Sequence, residues 1–69
     1  MSVYRVTEII GTSKNSWEDA AREALNAAAG SLRELRVAEV VELDITLGPS
    51  GDIDTFRSKL RVSFKYDPS

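Results

Sequence analysis

The sequence predicts an α+β fold of order β-α-β-β, with one helix on a three-stranded antiparallel sheet. Three observations carry this. Apolar residues recur at spacings of three and four from Trp17 to Leu35, the signature of a helix with one buried side. Phe56, Leu60, Val62, Phe64 and Tyr66 alternate with Arg57, Lys59, Arg61, Ser63 and Lys65, which is the signature of a half-buried strand. Gly48-Pro49-Ser50-Gly51-Asp52 is a turn cluster that folds this strand back on the one before it. The helix returns the chain, so the first two strands run the same way. An all-antiparallel sheet therefore needs the third strand in the centre, in order 1-3-2, with a right-handed crossover. At 69 residues the chain is expected to be one domain spanning 1–69.

The elements follow in order. Val3 to Ile10 is rich in Val, Tyr, Thr and Ile and reads as the first strand, with Gly11 at its exit. Tyr4, Val6 and Ile10 share a face with Glu8, a carboxylate among apolar neighbours. Ser16 is the expected helix cap, with Asp19 three residues on and Ser13 as a rival. The helix is expected from Ser16 to about Leu35, running on through Gly30 because Leu32 and Leu35 keep the apolar phase. Its buried strip is mostly alanine, which lets the helix axis come close to a sheet. Trp17 lies in its first turn and reads as a staple or core residue.

Arg36 to Leu47 reads as the second strand, but its phase slips. Ala38 and Val40 suit one buried parity, and Leu43, Ile45 and Leu47 suit the other. A bulge near Val41 or Glu42 reconciles them. It would place Val37, Glu39, Glu42, Asp44 and Thr46 on the face away from the helix, opposite Arg57, Lys59 and Arg61 from the strand expected over Thr55 to Tyr66. Asp67-Pro68-Ser69 is a short tail.

A chain this short buries only about 60% of its unfolded surface, so its core is marginal. With no cysteine a disulfide is excluded, and with no cysteine or histidine as ligand zinc is disfavoured. Self-association is the leading source of extra burial, and a carboxylate site for a hard cation the second. A net charge of −2 with both signs scattered argues against a nucleic-acid partner. No apolar run approaches the ~18 residues of a membrane span, and the first residues lack a signal-peptide core. The expected location is the cytoplasm.

Val3-Tyr4-Arg5-Val6 leading to Ile9-Ile10-Gly11-Thr12-Ser13, followed by Ser16-Trp17-Glu18-Asp19-Ala20-Ala21, resembles the opening of a dodecin. So do Leu32-Arg33 before Ala38-Glu39-Val40, and the closing Leu60-Arg61-Val62-Ser63-Phe64. The resemblance implies a hollow homododecamer of cubic symmetry, sheet inward and helix outward. In flavin-binding dodecins, paired flavins stack between tryptophans at a two-fold axis, and a glutamine of the third strand bonds the ring. The tryptophan stands two residues before a Glu-Val pair, here Glu39-Val40. Its slot is therefore Val37, and the glutamine slot is Arg57. Losing two aromatic stacks, each worth about 1–3 kcal/mol, would weaken binding tenfold to several thousandfold on an order-of-magnitude scale.

Arg36-Val37-Ala38 and Val62-Ser63-Phe64-Lys65 instead resemble a dodecin branch described as calcium-binding. Calcium takes six to eight oxygen ligands. Glu42 and Asp44 are two apart on one strand and share a face, with Glu8 as a third candidate; the competing reading is a charged surface balanced by Arg57 and Arg61.

The leading expectation is thus a binding and storage oligomer with an altered flavin pocket that takes a cation such as calcium. The alternative is a riboflavin- or FMN-sequestering dodecin of changed affinity. An enzyme is disfavoured, because no nucleophile stands beside a plausible base. An adaptor that docks another protein on its open sheet is the remaining class.

Overall fold

The computed structural model describes residues 1–30 and 35–66. The elements are β1 (Tyr4–Ser13), α1 (Trp17–Ala29), β2 (Leu35–Leu47) and β3 (Ile53–Lys65). The sheet order is β1-β3-β2, with β3 antiparallel to both neighbours, as the connectivity requires. The hairpin turns through Gly48 to Asp52. Gly51 takes a φ of 87°, in the left-handed region open to glycine, and its N–H donates to the Gly48 carbonyl at 3.0 Å.

Two expectations need correction. The helix ends at Ala29 instead of running to Leu35. The Gly30 N–H donates back three residues to the Ala27 carbonyl at 3.3 Å, which tightens and closes the last turn. Leu35 keeps its apolar contact but makes it from β2, packed against the core. The expected contribution of Leu32 lies outside the described residues, as does the tail 67–69. Secondly, β1 does not stop at Gly11 but continues to Ser13. Gly11 is needed for closeness. A Cβ there would overlap the carbonyl oxygen of Ala20 and sit 2.9 Å from the Cβ of Ala24. Here the helix backbone rests on the strand, and only glycine leaves room.

Ser16 is the helix cap, its Oγ accepting from the Asp19 N–H at 3.0 Å. The Asp19 carboxylate does not complete a capping box. It accepts instead from the Ser13 hydroxyl at 2.7 Å, while Ser13 Oγ accepts from the Asn15 N–H. Both candidate caps are used, and together they fix the crossing from β1 into α1.

The core is thin. Ala20, Ala24 and Ala28 are buried along α1, and Ala24 packs on Leu60 and Val62 of β3, with Ile9, Ala21, Leu25 and Leu35 packed against that cluster. Lengths explain why. A 13-residue strand runs about 43 Å and a 13-residue helix about 20 Å, so the helix covers roughly half the sheet's length. It also packs mainly on β1 and β3. The bulge expected near Val41 appears as a register shift between Val40 and Glu42. It keeps Ala38, Val40, Leu43 and Ile45 opposite Val62, Leu60, Ser58 and Phe56, on the helix side. The helix does not reach most of that strip: Val40, Leu43 and Leu47 stay 54%, 49% and 64% exposed.

Candidate functional site on the open face of the sheet

The face away from the helix is built by the strand register. Glu39 lies opposite Arg61, Glu42 opposite Lys59, and Asp44 opposite Arg57. On the other side of β3, Glu8 lies opposite Arg61, and Ile10 opposite Lys59. Without the bulge at Val41, Glu39 and Glu42 would point to opposite faces. The bulge therefore creates the acidic edge of this surface.

Ile10, Glu42, Asp44, Arg57 and Lys59 line a concavity of about 100 Å³. Arg57 closes a two-pronged fork on Asp44: Nε donates to Oδ1 at 2.7 Å and Nη2 to Oδ2 at 2.9 Å. This bond holds the Asp44 carboxyl below the usual aspartate range and raises the Arg57 guanidinium, to which Glu42 adds a smaller pull. Glu42 itself makes no hydrogen bond or ion pair with a described residue. Behind the sheet, the Trp17 indole N–H donates to the Asp44 carbonyl at 3.0 Å, and the Ser58 hydroxyl donates to the Trp17 carbonyl at 2.7 Å. The Trp17 ring meets Phe56 edge-on, with centroids 5.2 Å apart.

Of the residues singled out from sequence, Glu42 and Asp44 share the concavity with Arg57. Glu8 does not join them. It sits on β1 with the whole of β3 between it and β2, and its carboxylate is engaged by Arg61 Nη2 at 2.9 Å and Lys59 Nζ at 3.7 Å. The Arg61 bond holds Glu8 below the usual glutamate range, with Lys59 adding to it. Glu39 is 3.6 Å from Arg61 Nη1, so an ion ladder Glu39–Arg61–Glu8–Lys59 crosses all three strands. Val37 is on the same face, opposite Ser63 and 63% exposed. Among the described residues no group of three or more metal-ligating side chains assembles within the chain. Lys59 lies on the face where the sequence places it, opposite Glu42; Ile10 was not anticipated in the concavity, and its parity on β1 is the only sequence signal for it.

These pairs set a pH response. Carboxyls held below their ordinary range add stability that is fully present above the unfolded-state value. It is lost as pH falls through the lower folded-state value. Glu8, Asp44 and Asp54, the last held down by Lys14, all shift this way. The urea midpoint should stay level above about pH 5 and fall below about pH 4. Because the pairs are solvent-exposed, added salt should flatten the fall. A midpoint that rises on acidification would contradict it.

The comparisons with known proteins agree with this architecture. The family model described as Dodecin matches residues 3–67. The calcium dodecin of Mycobacterium tuberculosis is 52% identical over 69 residues, covering 100% of this chain and 96% of that protein. Its crystal structure, described as that of a calcium-chelating antigen with a novel calcium-binding site, superposes with a TM-score of 0.87 at 53% identity, over 99% and 96% of the two chains. The dodecin of Thermus thermophilus is 35% identical over 65 residues, 94% of this chain and 93% of that one. The structure of Streptomyces coelicolor dodecin matches with a TM-score of 0.90 at 31% identity, covering 99% and 96%. With the family model matched over residues 3–67 and relatives at 52% and 35% identity along nearly the whole chain, the chain belongs to the dodecin family.

Proposed function

We propose that this chain is a binding and storage protein that assembles as a hollow homododecamer and holds a cation such as calcium on the open face of its sheet, with Glu42 and Asp44 as ligands. The observation that carries this reading is the 52% identity, over the whole chain, to a protein named for calcium. The chemistry of the donor set supports it. Two carboxylates share one concavity, and one of them, Glu42, makes no hydrogen bond or ion pair with a described residue. Two carboxylates fall short of the six to eight oxygens calcium takes, and on this reading waters, carbonyls and copies related by symmetry supply the rest. The uncovered apolar strip of β2 supplies the reason for copies to come together. Glu8 belongs, on this reading, to the ion ladder and not to the metal shell. The chain has no histidine and no cysteine, and the proposed role is binding without turnover.

The flavin alternative would use the slots at Val37 and Arg57, beside Glu39. Valine offers no ring to stack on, and the Arg57 fork is already engaged by Asp44.

The test is native mass together with calcium content, measured on protein purified without added ligand. We expect twelve chains with bound calcium, and a melting temperature that drops by roughly 10 °C or more on chelation, as a ligand held near 100 times its Kd would give. Riboflavin should keep its fluorescence when mixed with the protein. A single-chain mass would end the assembly reading. A melt indifferent to chelator would end the calcium reading, and quenched riboflavin would favour the alternative.

A further inference from the structure

We propose that Arg57 is a resident counter-cation that gates Asp44: a divalent cation gains this carboxylate only by displacing the guanidinium fork, so Arg57 sets the affinity of the site. The inference rests on the cation-binding reading above and adds its regulation. Both oxygens of Asp44 are occupied, Oδ1 by Nε at 2.7 Å and Oδ2 by Nη2 at 2.9 Å. No oxygen of Asp44 therefore faces the concavity without a donor on it. The guanidinium is permanently charged, so no physiological pH releases it. It is tethered on the strand directly opposite Asp44, so it competes at high effective concentration.

The competition is winnable. The fork is two-fifths exposed on both sides, and exposed ion pairs are weak. Glu42 pulls on the same guanidinium but makes no bond to it. A cation arriving between Glu42 and Asp44 can therefore take the open carboxylate first and the forked one second. Once swung away, Arg57 stands beside Lys59 and keeps positive charge near the site, which lowers affinity further.

Calorimetric titration of calcium chloride into the chelator-stripped full chain tests this, using wild type, Arg57→Gln, Arg57→Lys and Asp44→Asn. Circular dichroism and native mass confirm that each variant folds and assembles. Arg57→Gln should bind roughly threefold to tenfold tighter than wild type, from loss of the fork and of its charge. Arg57→Lys, which keeps the charge without the fork, should fall between, and it serves as the test if the glutamine variant does not fold. Binding seen only in Arg57→Gln also supports the gate. If wild type binds, needs Asp44, and Arg57→Gln binds no tighter, the gate is overturned and the calcium reading stands. If neither binds up to about 10 mM, above the ~1 mM of weak calcium modules, or if Asp44→Asn binds unchanged, the site assignment fails and the gate with it.

Discussion

Gly11→Val should leave little folded protein, and even Gly11→Ala should lower stability by about 3 kcal/mol. The added carbon at this position runs into the Ala20 carbonyl oxygen and the Ala24 Cβ. Overpacking usually costs about 1–3 kcal/mol because neighbouring side chains can shift. Here the obstacle is helix backbone and an alanine methyl, neither of which has a rotamer to change. Relief requires α1 to lift from β1, which would uncover Ala20, Ala24 and Leu60 together. Per-residue scaling gives a domain of this size only about 3–10 kcal/mol in total. Urea denaturation at unchanged slope measures the loss. A shift under about 1 kcal/mol for the alanine variant would mean that the helix is not seated on this strand.

Leu43→Asp should abolish assembly. Leu43 lies on the helix side of β2, 49% exposed, next to Val40 at 54%, on a strip that α1 does not cover. If copies close over this strip, each would bury an unpaired carboxylate, at a cost of several kcal/mol that symmetry repeats at every equivalent contact. The expected product is a single chain, partly or wholly unfolded. Arg22→Asp, on the exposed side of α1, changes charge more yet should keep the wild-type mass. Native mass spectrometry of the two variants decides between this strip and the rest of the surface. A Leu43→Asp protein of undiminished mass would move the contact elsewhere.

Much of the fold was legible because each strand declares its own period. The alternation from Phe56 to Lys65 fixed β3 and its faces, and the parity clash between Val40 and Leu43 required a bulge that appears within one residue of its expected place. The helix end was not legible. Leu35 keeps helical phase by coincidence while serving β2, and glycine at 30 signals only a modest helix penalty. Gly11 was misread because a strand exit and a close helix approach ask for the same residue. For the candidate site, sequence placed Asp44, Glu42 and Arg57 on one face. It could not show that Glu8 is spoken for by Arg61, since that depends on which of two basic neighbours each acid reaches. Nor could it show the Trp17 bond, because main-chain acceptors leave no mark in a sequence.

That bond has a use. Trp17 is the sole tryptophan, and its indole grips the main chain of Asp44 while the same residue's carboxylate takes part on the opposite side of the sheet. The protein thus carries an unlabelled optical gauge, one fluorophore wired through a single residue to whatever settles beside it.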